Sequence, residues 1–148
     1  MTNGGKSEGT ATYAGDLTVQ ETWELLENNP DALLIDVRTT AEWAYVGMPD
    51  LSPIGKAVHP VSWVLFPDMS KNPSFIDEIS AIQPKKSAPM IFLCRSGVRS
   101  IAAAEAATRA GFEKSYNVLE GFEGGPDAES HRGKTGGWKV AGLKWKQS

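Results

Sequence analysis

The stretch from Pro89 to Gly111 constrains the fold of this chain more than any other. Pro89-Met90-Ile91-Phe92-Leu93 is a short apolar run that ends at Cys94, the one cysteine in the sequence. A loop containing Gly97 and two arginines, Arg95 and Arg99, follows it directly. Residues 100–110 are then rich in alanine and other strong helix formers, and the run stops at Gly111. That order predicts a strand, a tight loop and a helix beginning near Ser100.

Such an arrangement decides the chemistry open to Cys94. If residues 94–99 wrap so that their backbone N–H groups converge, with the helix N-terminus aimed into the same cradle, the thiol sits in a positive field. That field favours thiolate over thiol and makes Cys94 a nucleophile at neutral pH. A lone cysteine at the end of a core strand is more commonly buried and inert. An inert cysteine, however, does not require Arg95, Gly97 and Arg99 around it, so the reactive reading is preferred.

Two further landmarks flank this stretch. Leu33-Leu34-Ile35-Asp36-Val37-Arg38 is followed by Glu42-Trp43, and Tyr116-Asn117-Val118-Leu119-Glu120-Gly121-Phe122 reads as a strand and Gly turn. The three motifs, in this order over about residues 17–125, resemble the rhodanese family of sulfurtransferases. The resemblance implies a three-layer α/β domain, with a central, mostly parallel sheet and helices on both faces. It implies Cys94 as the catalytic residue and Arg95, Ser96, Gly97, Val98 and Arg99 as substrate-binding loop residues. Asp36, Arg38 and Glu42 would then be supporting residues. The alternation of strand and helix patterns through residues 17–119 independently argues for a parallel sheet flanked on both sides.

Bulk properties fit one domain with one core: 148 residues, 41% apolar and 22% charged. A net charge of −3 offers no case for nucleic-acid binding. One cysteine rules out an intramolecular disulfide. Residues 1–15 are rich in Gly, Ser and Thr and lack the apolar segment of a signal peptide or membrane span, so a cytoplasmic location is expected. The two histidines, His59 and His131, are far apart, and no Cys/His cluster has metal-ligand spacing, so neither a metal site nor a cofactor is expected. Their number alone leaves a histidine base for Cys94 open.

The domain organisation expected is a disordered lead over 1–15, a folded domain over 16–125 and a C-terminal tail over 126–148 packed on the same domain. Thr18 and Glu21 have capping-box spacing, and Val19, Trp23, Leu25 and Leu26 supply an apolar face before Asn28-Asn29-Pro30 ends the helix. Residues 32–37 form a continuous apolar run, the pattern of a buried parallel strand. Asp36 is expected to accept backbone N–H bonds and Arg38 to pair with Glu42. Thr39 and Glu42 repeat the capping-box spacing, predicting a short helix over 40–46. Residues 47–55 depart from the family's turn as an insertion, and residues 56–61 should form the next strand. Trp63, Leu65, Phe66 and Pro67 then make an aromatic connection that either borders the active-site mouth or covers the core edge. Asn72-Pro73 opens a helix whose Phe75, Ile76, Ile79 and Ile82 are core residues. In the tail, Trp138, Leu143 and Trp145 are apolar anchors, and every charge after Glu129 is basic, which would help attract an anionic donor or acidic partner.

Spacing separates the reaction classes. Tyrosine and dual-specificity phosphatases place five residues between Cys and Arg to wrap a tetrahedral phosphate, and a His before the Cys. Here four residues separate Cys94 from Arg99, and Leu93 precedes the cysteine. A smaller cradle suits a sulfur atom carried on Cys94, so sulfur transfer is favoured over phosphatase or arsenate reductase chemistry. The expected reaction takes a sulfane sulfur from thiosulfate or a similar small anionic donor. It passes through a Cys94 persulfide to an external thiol, thioredoxin or cyanide, since this sequence has no second cysteine to release the sulfur internally. The alternative is a rhodanese-like sulfur-carrier or regulatory binding module.

Overall fold

The computed structural model describes residues 13–65, 68, 70–94, 98–119, 121–122, 137–140, 143 and 145–146, with the backbone alone at positions 45, 98, 139, 140 and 146. Capping boxes launch the first two helices. The Glu21 N–H donates to Thr18 Oγ1 at 3.1 Å and Glu21 Oε1 accepts the Thr18 N–H at 2.8 Å, starting α1 (Val19–Asn28). Thr39 and Glu42 exchange the same pair of bonds and start α2 (Thr40–Tyr45).

The strands follow the apolar runs. In chain order they are β1 (Gly15–Leu17), β2 (Leu33–Asp36), β3 (Met48–Pro49), β4 (His59–Pro60), β5 (Val64–Leu65), β6 (Ser70–Lys71), β7 (Met90–Leu93), β8 (Ser115–Val118) and β9 (Trp145–Lys146). The helices are completed by α3 (Phe75–Ile82), α4 (Val98–Arg109) and α5 (Gly137–Val140). Five strands form a parallel sheet in the order β1-β8-β7-β2-β4, which puts β7 in the middle. The fold is the α/β architecture expected, a mostly parallel sheet with helices around it.

Side-chain alternation along β7 divides the core into two layers. Met90 and Phe92 face one layer with Ile35, Val37, Phe75 of α3 and Ala103, Ala104 and Ala107 of α4. Ile91 and Leu93 face the other with Leu34, Val19 and Leu26 of α1, and Trp138 of α5. The alanines at three- and four-residue spacing form the face on which α4 lies against the sheet. The helix ends where Gly111 takes φ 103° and the Phe112 N–H reaches back to the Ala107 carbonyl at 3.1 Å.

Two boundaries differ from expectation. The ordered chain reaches back past residue 15, because Gly15 begins β1 and pairs with Tyr116, and Tyr13 packs against the core. A three-residue edge strand is too short to show a period in sequence; residues 1–12 lie outside the described residues. Over 56–61, strand pairing is confined to His59–Pro60, as suits a proline on a sheet edge. Within residues 47–55, β3 pairs antiparallel with β9, and Leu51 is buried. Lys56 just beyond it donates to the Asn29 and Ala32 carbonyls at 2.6 and 2.7 Å, tying down the end of α1.

In the tail, Trp138 is fully buried 5.9 Å from Trp23, and its N–H donates to the Gly121 carbonyl at 2.9 Å. Leu143 packs on the same layer, and Trp145 meets Phe122 edge-on at 6.0 Å. The basic side chains of the tail and the Phe66-Pro67 dipeptide lie outside the described residues.

Candidate active site

Cys94 follows directly on β7, at the C-terminal edge of the parallel sheet, where open α/β folds gather their ligands. It is 1% exposed. Neighbouring segments of the chain hold this strand end firmly: the Val37 N–H donates to the Leu93 carbonyl and the Phe122 N–H to the Cys94 carbonyl, both at 2.8 Å. Arg95, Ser96 and Gly97 lie outside the described residues, and Val98 is placed by its backbone at the start of α4.

Arg99, in the first turn of α4, is held from across the domain. Its Nη1 and Nη2 donate to Glu42 Oε1 and Oε2 at 2.8 and 2.9 Å, a bidentate pair. Glu42 Oε1 also accepts the Thr39 N–H and hydroxyl, each at 3.1 Å. The carboxylate that caps α2 therefore also aims the arginine of α4. Burial alone would raise the Glu42 pKa, but the hydrogen bonds from Arg99 and Thr39 and the Arg99 charge hold it at about 2, below the ordinary 4.5. The Arg99 pKa is raised chiefly by its hydrogen bonds to Glu42, against the effect of burial, with the charges of Glu42, Cys94 and Asp36 adding to the rise. Two of the five guanidinium N–H groups are committed to Glu42, which among the described residues leaves three for a ligand.

Arg38 does not pair with Glu42 as expected from their spacing. Its Nε and Nη2 donate to Asp36 Oδ1 and Oδ2 at 2.8 and 2.6 Å, and Nη2 also donates to the Gly47 carbonyl at 2.6 Å. Residue 38 precedes the first turn of α2, so the helical i, i+4 geometry that would bring it to Glu42 does not exist there. Asp36 does accept a backbone N–H, that of Arg38 at 3.1 Å. Both side chains are fully buried, with the guanidinium 4.4 Å over the Phe122 ring.

His59 is set apart from the thiol. It pairs with Ile35, and Ile35 with Phe92, which puts it two strand spacings from β7, on the order of 10 Å. Burial lowers its pKa, favouring neutral imidazole. Trp63 serves the core edge, with its ring edge-on to Phe75 at 5.0 Å and Lys71 Nζ 4.9 Å over its face.

Sequence reasoning missed Ser100 and Asn117. Ser100 Oγ lies 3.2 Å from Cys94 Sγ, and the Ser100 hydroxyl donates to Asn117 Oδ1. The available signal was Asn117 itself, a polar amide between Tyr116 and Val118 in a strand pattern, a position that calls for a buried partner.

Comparison with known proteins places the fold. The sequence profile of the Rhodanese-like domain matches residues 18–125. The crystal structure of Rv0390 from M. tuberculosis superposes with a TM-score of 0.85 at 51% identity, covering 93% of this chain and 100% of that one. An uncharacterized Rickettsia conorii protein is 37% identical over 83% of this chain and 89% of its own length. The thiosulfate sulfurtransferase GlpE of Glaesserella parasuis is 30% identical over 74% of this chain and 83% of its own. With a family-model match over residues 18–125, most of its length, the chain belongs to the rhodanese-like domain family.

Proposed function

We propose that this chain is a sulfurtransferase that carries sulfane sulfur as a Cys94 persulfide. The observation that carries the reading is the placement of Cys94 at the C-terminal end of the central strand, with Ser100 Oγ of the first turn of α4 3.2 Å from its Sγ and Arg99 in that same turn. Membership of the family and the similarity to a thiosulfate sulfurtransferase support the same class of reaction.

In the first half-reaction the Cys94 thiolate attacks the outer sulfur of an anionic donor such as thiosulfate. A bond forms between Sγ and that sulfur, the donor S–S bond breaks, and its electron pair leaves with sulfite. Arg99, with N–H groups left over from Glu42, binds the donor and the departing anion. Arg95 and the N–H groups of residues 96–99 would complete the cradle around the outer sulfur of the persulfide. In the second half-reaction an external nucleophile, a small thiol, thioredoxin or cyanide, attacks the outer sulfur and Cys94 leaves as thiolate. The acceptor comes from outside because Cys94 is the single cysteine of the sequence.

Intact-protein mass spectrometry tests the reading. Thiosulfate should add one sulfur atom, about 32 Da, which cyanide removes and which Cys94→Ser never acquires. A wild-type protein that gains no sulfur from thiosulfate, a persulfide or mercaptopyruvate would overturn it in favour of a binding module.

A further inference from the structure

A line of hydrogen bonds runs from Cys94 to the first strand of the sheet. Beyond the Cys94–Ser100–Asn117 contacts, Asn117 Nδ2 donates to Asp16 Oδ1 at 3.0 Å, and the Tyr13 hydroxyl donates to the same oxygen at 2.8 Å. Strand register builds this, because Asp16 of β1 is paired with Asn117 of β8. Ser100 and Asn117 are buried while Asp16 is exposed, so the line connects an enclosed thiol to the surface.

Donor accounting gives the line a direction. A carboxylate oxygen only accepts, so Asn117 turns its NH2 group to Asp16 and its carbonyl oxygen to Ser100. A carbonyl oxygen also only accepts, so the single hydroxyl hydrogen of Ser100 points to Asn117. What Ser100 then presents to Cys94 is a lone pair, which suits an S–H donor and opposes a thiolate. For Ser100 to stabilise the thiolate, its hydrogen must swing to Sγ and leave the buried Asn117 carbonyl without that donor, an unfavourable exchange.

We infer that Asn117, oriented by Asp16, is a positioning residue that restrains ionisation of Cys94 by holding the Ser100 hydrogen away from sulfur. The inference rests on the sulfur-transfer reading for its catalytic meaning, since the thiolate fraction governs attack on the donor. Other described groups around the thiol act differently. Arg99 on α4 favours the thiolate, though Glu42 on α2 shares its charge, and the Asp36–Arg38 pair beside β2 compensates itself. His59 on β4 stands two strands away. At the far end, burial together with Asp16 and Glu105 pushes the Tyr13 pKa up to about 12, so Tyr13 remains a donor to Asp16 throughout the neutral range.

The test reads ionisation of Cys94 directly, by ultraviolet absorbance of the thiolate against pH with Cys94→Ser as the blank, and needs neither donor nor acceptor. Asn117→Leu, similar in branched shape but without an acceptor, should lower the titration midpoint by about one pH unit. Asp16→Ala, at an exposed position, should lower it as well, because the freed amide can flip and donate to Ser100. Ser100→Ala removes both the acceptor for S–H and the donor for S⁻, and should not lower it. Adding Asp16→Ala to Asn117→Leu should shift the midpoint no further. Additive shifts would instead make Asp16 a simple through-space charge and overturn the inference. A wild-type midpoint in a folded Asp16→Ala would overturn it too, even if Asn117→Leu failed to fold. Shifted midpoints in a protein that accepts no sulfur would overturn the sulfur-transfer reading and leave the positioning role intact.

Discussion

Among its described residues the domain has two acid–arginine pairs near the end of the central strand, and they behave as opposites. Asp36 and Arg38 lie two residues apart, with side chains 0% exposed, closed by a bidentate contact and covered by Phe122. Glu42 and Arg99 are 57 residues apart and join α2 to α4, with the carboxylate 18% and the guanidinium 21% exposed. The first pair exchanged water for protein partners on both sides, so neither charge can lose its mate without being stranded in the core. The second remains in reach of water and of a ligand, and it sits on the helix that follows Cys94. The same chemistry therefore serves as a buried brace in one place and as an aiming device in the other.

Removing the mate from the buried pair should have the largest effect. Asp36→Asn leaves the Arg38 charge uncompensated, and a loss of about 3–5 kcal/mol is expected in urea unfolding. A loss below about 1 kcal/mol would mean that the pair is no brace. Glu42→Gln should cost on the order of 2–3 kcal/mol at neutral pH, and its pH dependence sharpens the contrast. The folded-state pKa of Glu42, about 2, lies below the ordinary 4.5, so its stabilisation is complete above pH 4.5 and is lost as pH falls toward 2. Wild-type stability should decline more steeply than that of Glu42→Gln across that window, and parallel declines would break the assignment. Lys85→Ala supplies the lower end of the scale. Lys85 and Asp31 form an ion pair at 3.0 Å with side chains 60% and 49% exposed, and its loss should stay within about 0.5 kcal/mol in the same unfolding measurement.

Local signals were legible wherever the determining residues stand within a few positions of one another. Thr18 with Glu21 and Thr39 with Glu42 announced two helix starts, because a capping box closes over three residues whatever the rest of the chain does. The apolar run into Cys94 and the alanine-rich segment after it announced β7 and α4 for the same reason. Arg38 is the instructive failure. Its spacing to Glu42 suggests a partner, but the backbone there is not helical, and Asp36 stands within reach in the other direction. The two-residue pairing of β3 with β9, and the edge strand β1, left no readable pattern, since such short segments gain their regularity only from the strand beside them.

By itself the sequence determined the layered α/β plan, the position of the one cysteine between a strand and a helix, and the family to which the chain belongs. Those follow from periodicity, capping and motif order, which are properties of neighbouring residues. Only the tertiary structure decided that Glu42 aims Arg99, that Asp36 compensates Arg38, and that Asp16 of β1 reaches Cys94 through Asn117 and Ser100. The physical reason is that a buried charge or polar group takes whichever partner the packed backbone brings within hydrogen-bond distance, and distance along the chain does not enter that choice.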